Sequence, residues 1–149
     1  GALYQDRARM RALIEAGVQQ ATGMSSVDEM VVMGYCFGGA VALEMARSEM
    51  AGMANGYATF HGGLGTPDGQ AWDGDEPPIV VFHGGADTSI SMQDVATLST
   101  ELEASGNTYT IKVYSNAPHA FTVFGSSRYQ ERADMESWDY FSEFLAQSI

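Results

Sequence analysis

Four short apolar runs alternate with longer segments patterned for helix, and this alternation constrains the fold more than any other feature of the chain. The runs are Glu29–Gly34, Asn55–Phe60, Pro78–His83 and Tyr109–Tyr114. Glu29–Gly34 is apolar without alternation, as expected of a strand buried on both faces of a parallel sheet. Between the runs lie helical patterns. From about Asp6 to Ala21, Met10, Leu13, Ile14 and Val18 recur at helical spacing, and Gly23 with the Ser25-Ser26 pair ends the segment. Ala40–Ser48 follows the first strand. Ser91 and Asp94 form a capping-box pattern ahead of Met92, Val95, Leu98 and Leu102, and Gly106 supplies the stop. A last helix from about Gln130 to Gln147 is expected to bury Met135, Trp138, Phe141 and Leu145. Residues 64–78 are rich in Gly, Pro and Asp and read as a surface loop. Strands separated by helices pair in parallel. The expectation is an α/β three-layer sandwich with a mainly parallel sheet, forming one domain over residues 1–149.

Charge narrows the partners. The formal net charge is −12 and Lys112 is the single lysine. Such a surface repels nucleic acid and anionic membranes, which excludes both as expected partners. Cys36 is the single cysteine, so no disulfide forms within the chain, and a reduced, cytoplasmic setting is expected. No stretch reaches the length of a membrane span, and no secretory leader pattern is visible. No metal-ligand spacing occurs along the chain, and no cofactor is implied.

The chemistry gathers at the strand ends. Gly34-Tyr35-Cys36-Phe37-Gly38 has the form G-x-C-x-G between an apolar strand and a helix. That is a nucleophile-elbow pattern with cysteine in place of serine. The flanking glycines are expected where side chains would collide with strand and helix. The helix N-terminus and a nearby imidazole are expected to lower the thiol pKa, and the amide of Phe37 is expected to face an oxyanion. A structural cysteine in a glycine-rich turn is the plain alternative, and the strand–turn–helix setting argues against it. His119 sits in the loop after the last strand, where an imidazole can reach the thiol as general base. Asp87 follows the third strand and would orient that imidazole. The order nucleophile, acid, base is that of α/β-hydrolases. Sites of parallel sheets form at the carboxyl ends of the strands, where all three residues fall. His61 and His83 flank glycine pairs and are expected to close turns or line a pocket.

GYCFGG around Cys36, HGGAD through Asp87, HAF at His119 and FHGGL at residues 60–64, with the closing Trp-containing helix, resemble the motifs of dienelactone hydrolases. The resemblance runs through nearly the whole chain. It implies an α/β-hydrolase fold and a Cys–His–Asp triad of Cys36, His119 and Asp87 acting on esters or lactones through an acyl-thioester. It also implies further N-terminal strands before the region of Asp6–Ala21, so a truncated or minimal form of the fold is expected here. In the family, those strands supply a second oxyanion amide, an acidic partner of the resting cysteine and a substrate-binding arginine. Four residues after the histidine, where the prototype has an arginine, this chain has Val123. A small neutral ester is therefore expected, in a pocket drawn from Tyr35, His61, Phe121 and Val123. A shortened sheet leaves an edge bare, and bare edges pair with other chains, so a homodimer or larger homo-oligomer is expected. The competing reading is a catalytically weak or inactive remnant that binds a ligand or partner. A redox-sensing thiol is a third, disfavoured because no second cysteine is present to resolve it.

Overall fold

The computed structural model describes residues 2–24, 26 and 28–149. Its centre is one four-stranded sheet of β1 (Val31–Tyr35), β2 (Gly56–Phe60), β3 (Ile79–Gly84) and β4 (Tyr109–Tyr114), in that spatial order and parallel throughout. The helices are α1 (Ala2–Gln5), α2 (Arg7–Met24), α3 (Phe37–Ala46), α4 (Met92–Ser105) and α5 (Glu131–Ser148), and a 3-10 turn spans Ala51–Met53. All four expected strands and all four expected helices are present. The short α1 carries no apolar period and was not foreseen. Of the pair expected to end the first helix, Ser25 lies outside the described residues. The helix itself runs to Met24, past Gly23.

Period-2 alternation along the strands sorts the core into two layers. Tyr57, Ile79 and Val81 face one way, onto Leu43, Met45, Val95, Leu98 and Leu102 of α3 and α4. Ala58, Phe60, Val80 and Phe82 face the other way, onto Phe141 of α5 and Phe121. The result is helices, sheet, helix: three layers. β2 and β3 are buried along their whole length, whereas edge strand β1 is only partly covered.

Four expected core positions are exposed. Leu13 is 53% and Met92 45% accessible, as are Met135 at 58% and Trp138 at 50%. The apolar stripe lies as expected on α2 and α4, with Leu13 and Met92 outside it, and on α5 it is displaced. On α2 the inward stripe is Met10, Ile14 and Val18 with Arg7 and Arg11 beside them, and Leu13 lies about 120° round the helix from it. On α5 the inward stripe is Ala133, Ser137 and Phe141, with Tyr140 and Phe144 packed beside it. Met135 and Trp138 sit about 100° or more away, where Trp138 covers one side of the Phe141 ring. Met92 is the first residue of α4, directly after its cap at Ser91.

Two polar knots fix the parts that periodicity does not. Glu44 on α3 is fully buried, and Arg7 (3.1 Å), Arg11 (2.8 Å), Arg47 (3.5 Å) and Gln70 (2.7 Å) converge on its carboxylate. Burial alone would push this carboxyl up, but the Arg11 and Gln70 hydrogen bonds and the charges of Arg47 and Arg11 hold it below the usual carboxylate range. The knot ties α2 and the loop of Gln70 to α3. Glu76 accepts from the amides of Asp73 and Gly74 and from Asn107, pinning the long loop to the turn after α4. The expected cap of α4 is present: Ser91 Oγ accepts from the Asp94 amide and Asp94 accepts from the Ser91 amide. Gly106 closes that helix in the left-handed region at φ 84°.

Candidate active site

The site begins where β1 turns into α3. Cys36 occupies that turn at φ 51°, ψ −119°, a conformation L-residues adopt only under constraint. Its amide donates to the Phe60 carbonyl at 3.1 Å, which ties the turn to the end of β2. A Cβ at Gly34 would overlap the backbone of Gly38, so the first elbow glycine is required by space. Gly38 itself has open space around it, contrary to expectation. The second crowded position is Gly39, where a Cβ would meet Thr59 and the Cα of Gly62. Gly39 and Gly62 thus let the start of α3 touch the turn after β2, and that contact carries His61 to the thiol.

His61 is 1% exposed and sits at φ 39°, a second strained non-glycine. Its Nδ1 lies 3.3 Å from Cys36 Sγ, and its Nε2 lies 2.9 Å from Thr122 Oγ1. Burial and then the His119 charge lower its pKa to about 4, so the ring is neutral at pH 7. Its expected place at a turn and pocket wall understates its position, because it is the direct hydrogen-bond partner of the thiol. Only tertiary geometry reveals this, since position 61 belongs to neither the elbow nor the last-strand loop.

His119 arrives from the loop after β4. Its Nδ1 lies 2.9 Å from Asp87 Oδ2. The other oxygen of Asp87 accepts from the Ser89 and Ile90 amides at 2.7 and 2.9 Å. Burial would raise this carboxyl, but the Ile90 amide, the His119 ring and the Ser89 amide outweigh it and hold Asp87 below the usual range. Cys36 Sγ, a His61 ring nitrogen and a His119 ring nitrogen all lie within 4.8 Å of one another. Ala120, directly after His119, is also strained at φ 63°.

The thiol does not carry the lowered pKa expected of it. Burial pushes it up, the Asp87 charge pushes it further, and Arg128 pulls it back only in part. The physical reason lies next to it: His61 is neutral and supplies no cation. His83 is fully buried with neither ring nitrogen hydrogen-bonded among the described residues, and burial lowers its pKa.

The profile of the dienelactone hydrolase family matches residues 2–149. The chain belongs to that family. An uncharacterised Caenorhabditis elegans protein is 27% identical over 151 aligned positions, covering 95% of each chain. A provisional carboxymethylenebutenolidase of Salmonella typhimurium is 34% identical over 70 positions, 47% of this chain and 26% of that one. Among solved structures, a dienelactone hydrolase-like promiscuous phosphotriesterase from metagenomic libraries superposes with a TM-score of 0.86 at 26% identity. That match covers 99% of this chain and 64% of the other, so this chain spans under two thirds of that dienelactone hydrolase relative.

The other residues expected at the site take different surroundings. The Phe37 side chain is 46% exposed and leans toward Tyr4, while its residue opens α3, where backbone N–H groups have no partner within the helix. Tyr35 is 39% exposed, stacks on Phe60 at 4.7 Å and lies beside His61. Phe121 is core, not pocket wall: it is fully buried, edge-on to His61 at 5.1 Å, and belongs to the apolar layer that includes Phe141 of α5. Val123 is exposed on the following turn. Arg128, which sequence reasoning passed over, brings the positive charge felt at the thiol. A cleft of about 270 Å³ opens near Pro78, Thr108 and Phe144, at the opposite ends of the strands from Cys36. Among the described residues no helix is long and apolar enough to cross a membrane.

Proposed function

We propose that this chain hydrolyses small carboxylic esters or lactones through Cys36, His119 and Asp87. The observation that carries the reading is one cluster: a thiol on a strained strand–helix turn, within 4.8 Å of an imidazole whose far nitrogen is bound to a buried aspartate. The dienelactone hydrolase family and the Salmonella relative's assignment support the substrate class.

In this mechanism His119 takes the thiol proton as sulfur attacks the ester carbonyl carbon. The carbonyl electrons move onto oxygen, which the Phe37 amide receives. Collapse expels the alcohol, which leaves with the proton from His119, and the acyl group stays on sulfur as a thioester. His119 then deprotonates water, water attacks the thioester, and the thiol is restored as the acid departs. Asp87 keeps the proton on Nδ1 so that Nε2 faces the reaction. His61 holds the thiol before substrate arrives. Because the resting thiol is protonated, proton transfer to His119 belongs to the attack step.

Hydrolysis of p-nitrophenyl acetate by wild type and Cys36→Ala, with intact mass taken during turnover, tests this. An acetyl adduct on the wild type alone, and loss of turnover in the variant, are expected. Wild-type turnover by Cys36→Ala refutes the thiol as nucleophile. The raised thiol pKa also favours a second reading, a ligand-binding protein that keeps the elbow as structure. An ester panel without turnover, with Cys36 alkylated no faster than free cysteine, selects it. The half-covered edge strand β1 supports a homodimer or larger assembly, which a monomeric mass by light scattering refutes. A reducing, cytoplasmic compartment suits a chemistry that needs the free thiol.

A further inference from the structure

Cys36, His61 and His119 present a thiol and two imidazoles to one point, and each imidazole is anchored from behind. His61 turns Nδ1 to the sulfur and is held at Nε2 by Thr122 Oγ1, 2.9 Å away. His119 is held at Nδ1 by Asp87, 2.9 Å away, which leaves Nε2 to face inward. A hydrogen-bond acceptor behind the far nitrogen of each ring is the outer arrangement that fixes tautomer and direction in metal-binding histidines. Nucleophilic catalysis through one histidine needs only one of these anchors. The second, Thr122 behind His61, is what a catalytic triad leaves unexplained.

The dimensions match a metal ion as well. Around tetrahedral zinc, with Zn–S near 2.3 Å and Zn–N near 2.0–2.1 Å, neighbouring donor atoms stand about 3.4–3.6 Å apart. Here sulfur and His61 Nδ1 are 3.3 Å apart, and the three donor atoms lie within 4.8 Å of one another. Closing the widest gap takes about 1 Å of side-chain rotation. One thiolate and two imidazoles suit zinc(II), and leave a fourth position open. The donors come from the turn after β1, the turn after β2 and the loop after β4, so the rigid parallel sheet sets their spacing. A formal net charge of −12 draws a divalent cation toward the surface.

We propose that Cys36, His61 and His119 form a three-ligand zinc(II) site, with Thr122 and Asp87 as outer-shell anchors. On binding, the Cys36 thiol releases its proton to solvent and a sulfur–zinc bond forms, with no change of oxidation state. The ion then occupies the sulfur, so the thiol is masked until a chelator removes it. The site goes beyond the ester-hydrolysis reading and stands independently of it.

The test uses the full chain, stripped with chelator and titrated with zinc sulfate by calorimetry. Cobalt(II) serves as the spectroscopic probe. One zinc per chain, protection of Cys36 from iodoacetamide, reversal by EDTA and a near-ultraviolet sulfur-to-cobalt charge-transfer band are expected. Cys36→Ser loses that band. His61→Gln weakens binding, and Thr122→Val, which removes only an outer anchor, weakens it about 10- to 100-fold. If His61→Gln does not fold, Cys36→Ser and Thr122→Val carry the result. Zinc bound equally by wild type and Cys36→Ser overturns the site, as does no binding at millimolar zinc. Ester turnover without zinc binding leaves the hydrolysis reading intact, and zinc binding without turnover leaves this one intact.

Discussion

Glu44 and Asp87 are both buried carboxylates that join distant parts of the chain, and they sit in opposite kinds of surroundings. Around Glu44, three arginines and a glutamine meet the carboxylate in regular helix and an ordered loop. Around Asp87 and its histidine the backbone is strained at Cys36, His61 and Ala120, and the thiol is protonated beside a neutral ring. In the first cluster every carboxylate contact is with a cation or an amide donor, and the cluster serves to hold elements together. The second brings a thiol and two imidazoles within 4.8 Å of one another, which is the geometry the proposed proton transfer needs. A fold can therefore bury charge in one place to fix its helices and in another to hold reactive groups apart from their resting partners.

The comparison breaks most visibly with Asp87→Asn. It keeps the shape but reverses the tautomer of His119, and ester turnover should fall on the order of 10⁴-fold with little change in melting temperature. Glu44→Ala should do the reverse. It leaves Arg47 buried without its partner, so a urea-denaturation midpoint corresponding to a loss of about 3–5 kcal/mol is expected, with turnover per folded molecule retained. Acid sharpens the contrast. The folded pKa of Glu44 lies below its unfolded value, so its stabilisation is complete above about pH 4.3 and is lost as pH falls through the lower, folded value. A urea series taken downward from pH 6 should therefore show wild type losing more stability than Glu44→Gln, and equal losses would remove the knot from the account. The smallest effect has the opposite sign. Gly38 has free space in a helix, so Gly38→Ala should gain about 0.5–1 kcal/mol in thermal unfolding, whereas Gly34→Ala should disrupt the turn.

Sequence alone determined the four strands and the four longer helices, their parallel pairing, the capping box at Ser91 and the family, because these depend on local periodicity and short motifs. It also put Cys36, Asp87 and His119 at strand ends, since each closely follows an apolar run. It could not fix the edges of each buried stripe: the apolar Leu13, Met135 and Trp138 obey the period, yet which of them meet the core depends on what the neighbouring elements offer. Nor could it find the Glu44 knot, whose partners at positions 7, 11, 47 and 70 come from α2, the end of α3 and a loop that only the fold brings together. The tertiary structure alone decided that His61 touches the thiol and that burial raises the thiol pKa where a lowered one is expected. Burial, and the close approach of Gly39 to Gly62, are properties of packed elements, and no spacing between residues 36, 61 and 119 encodes them.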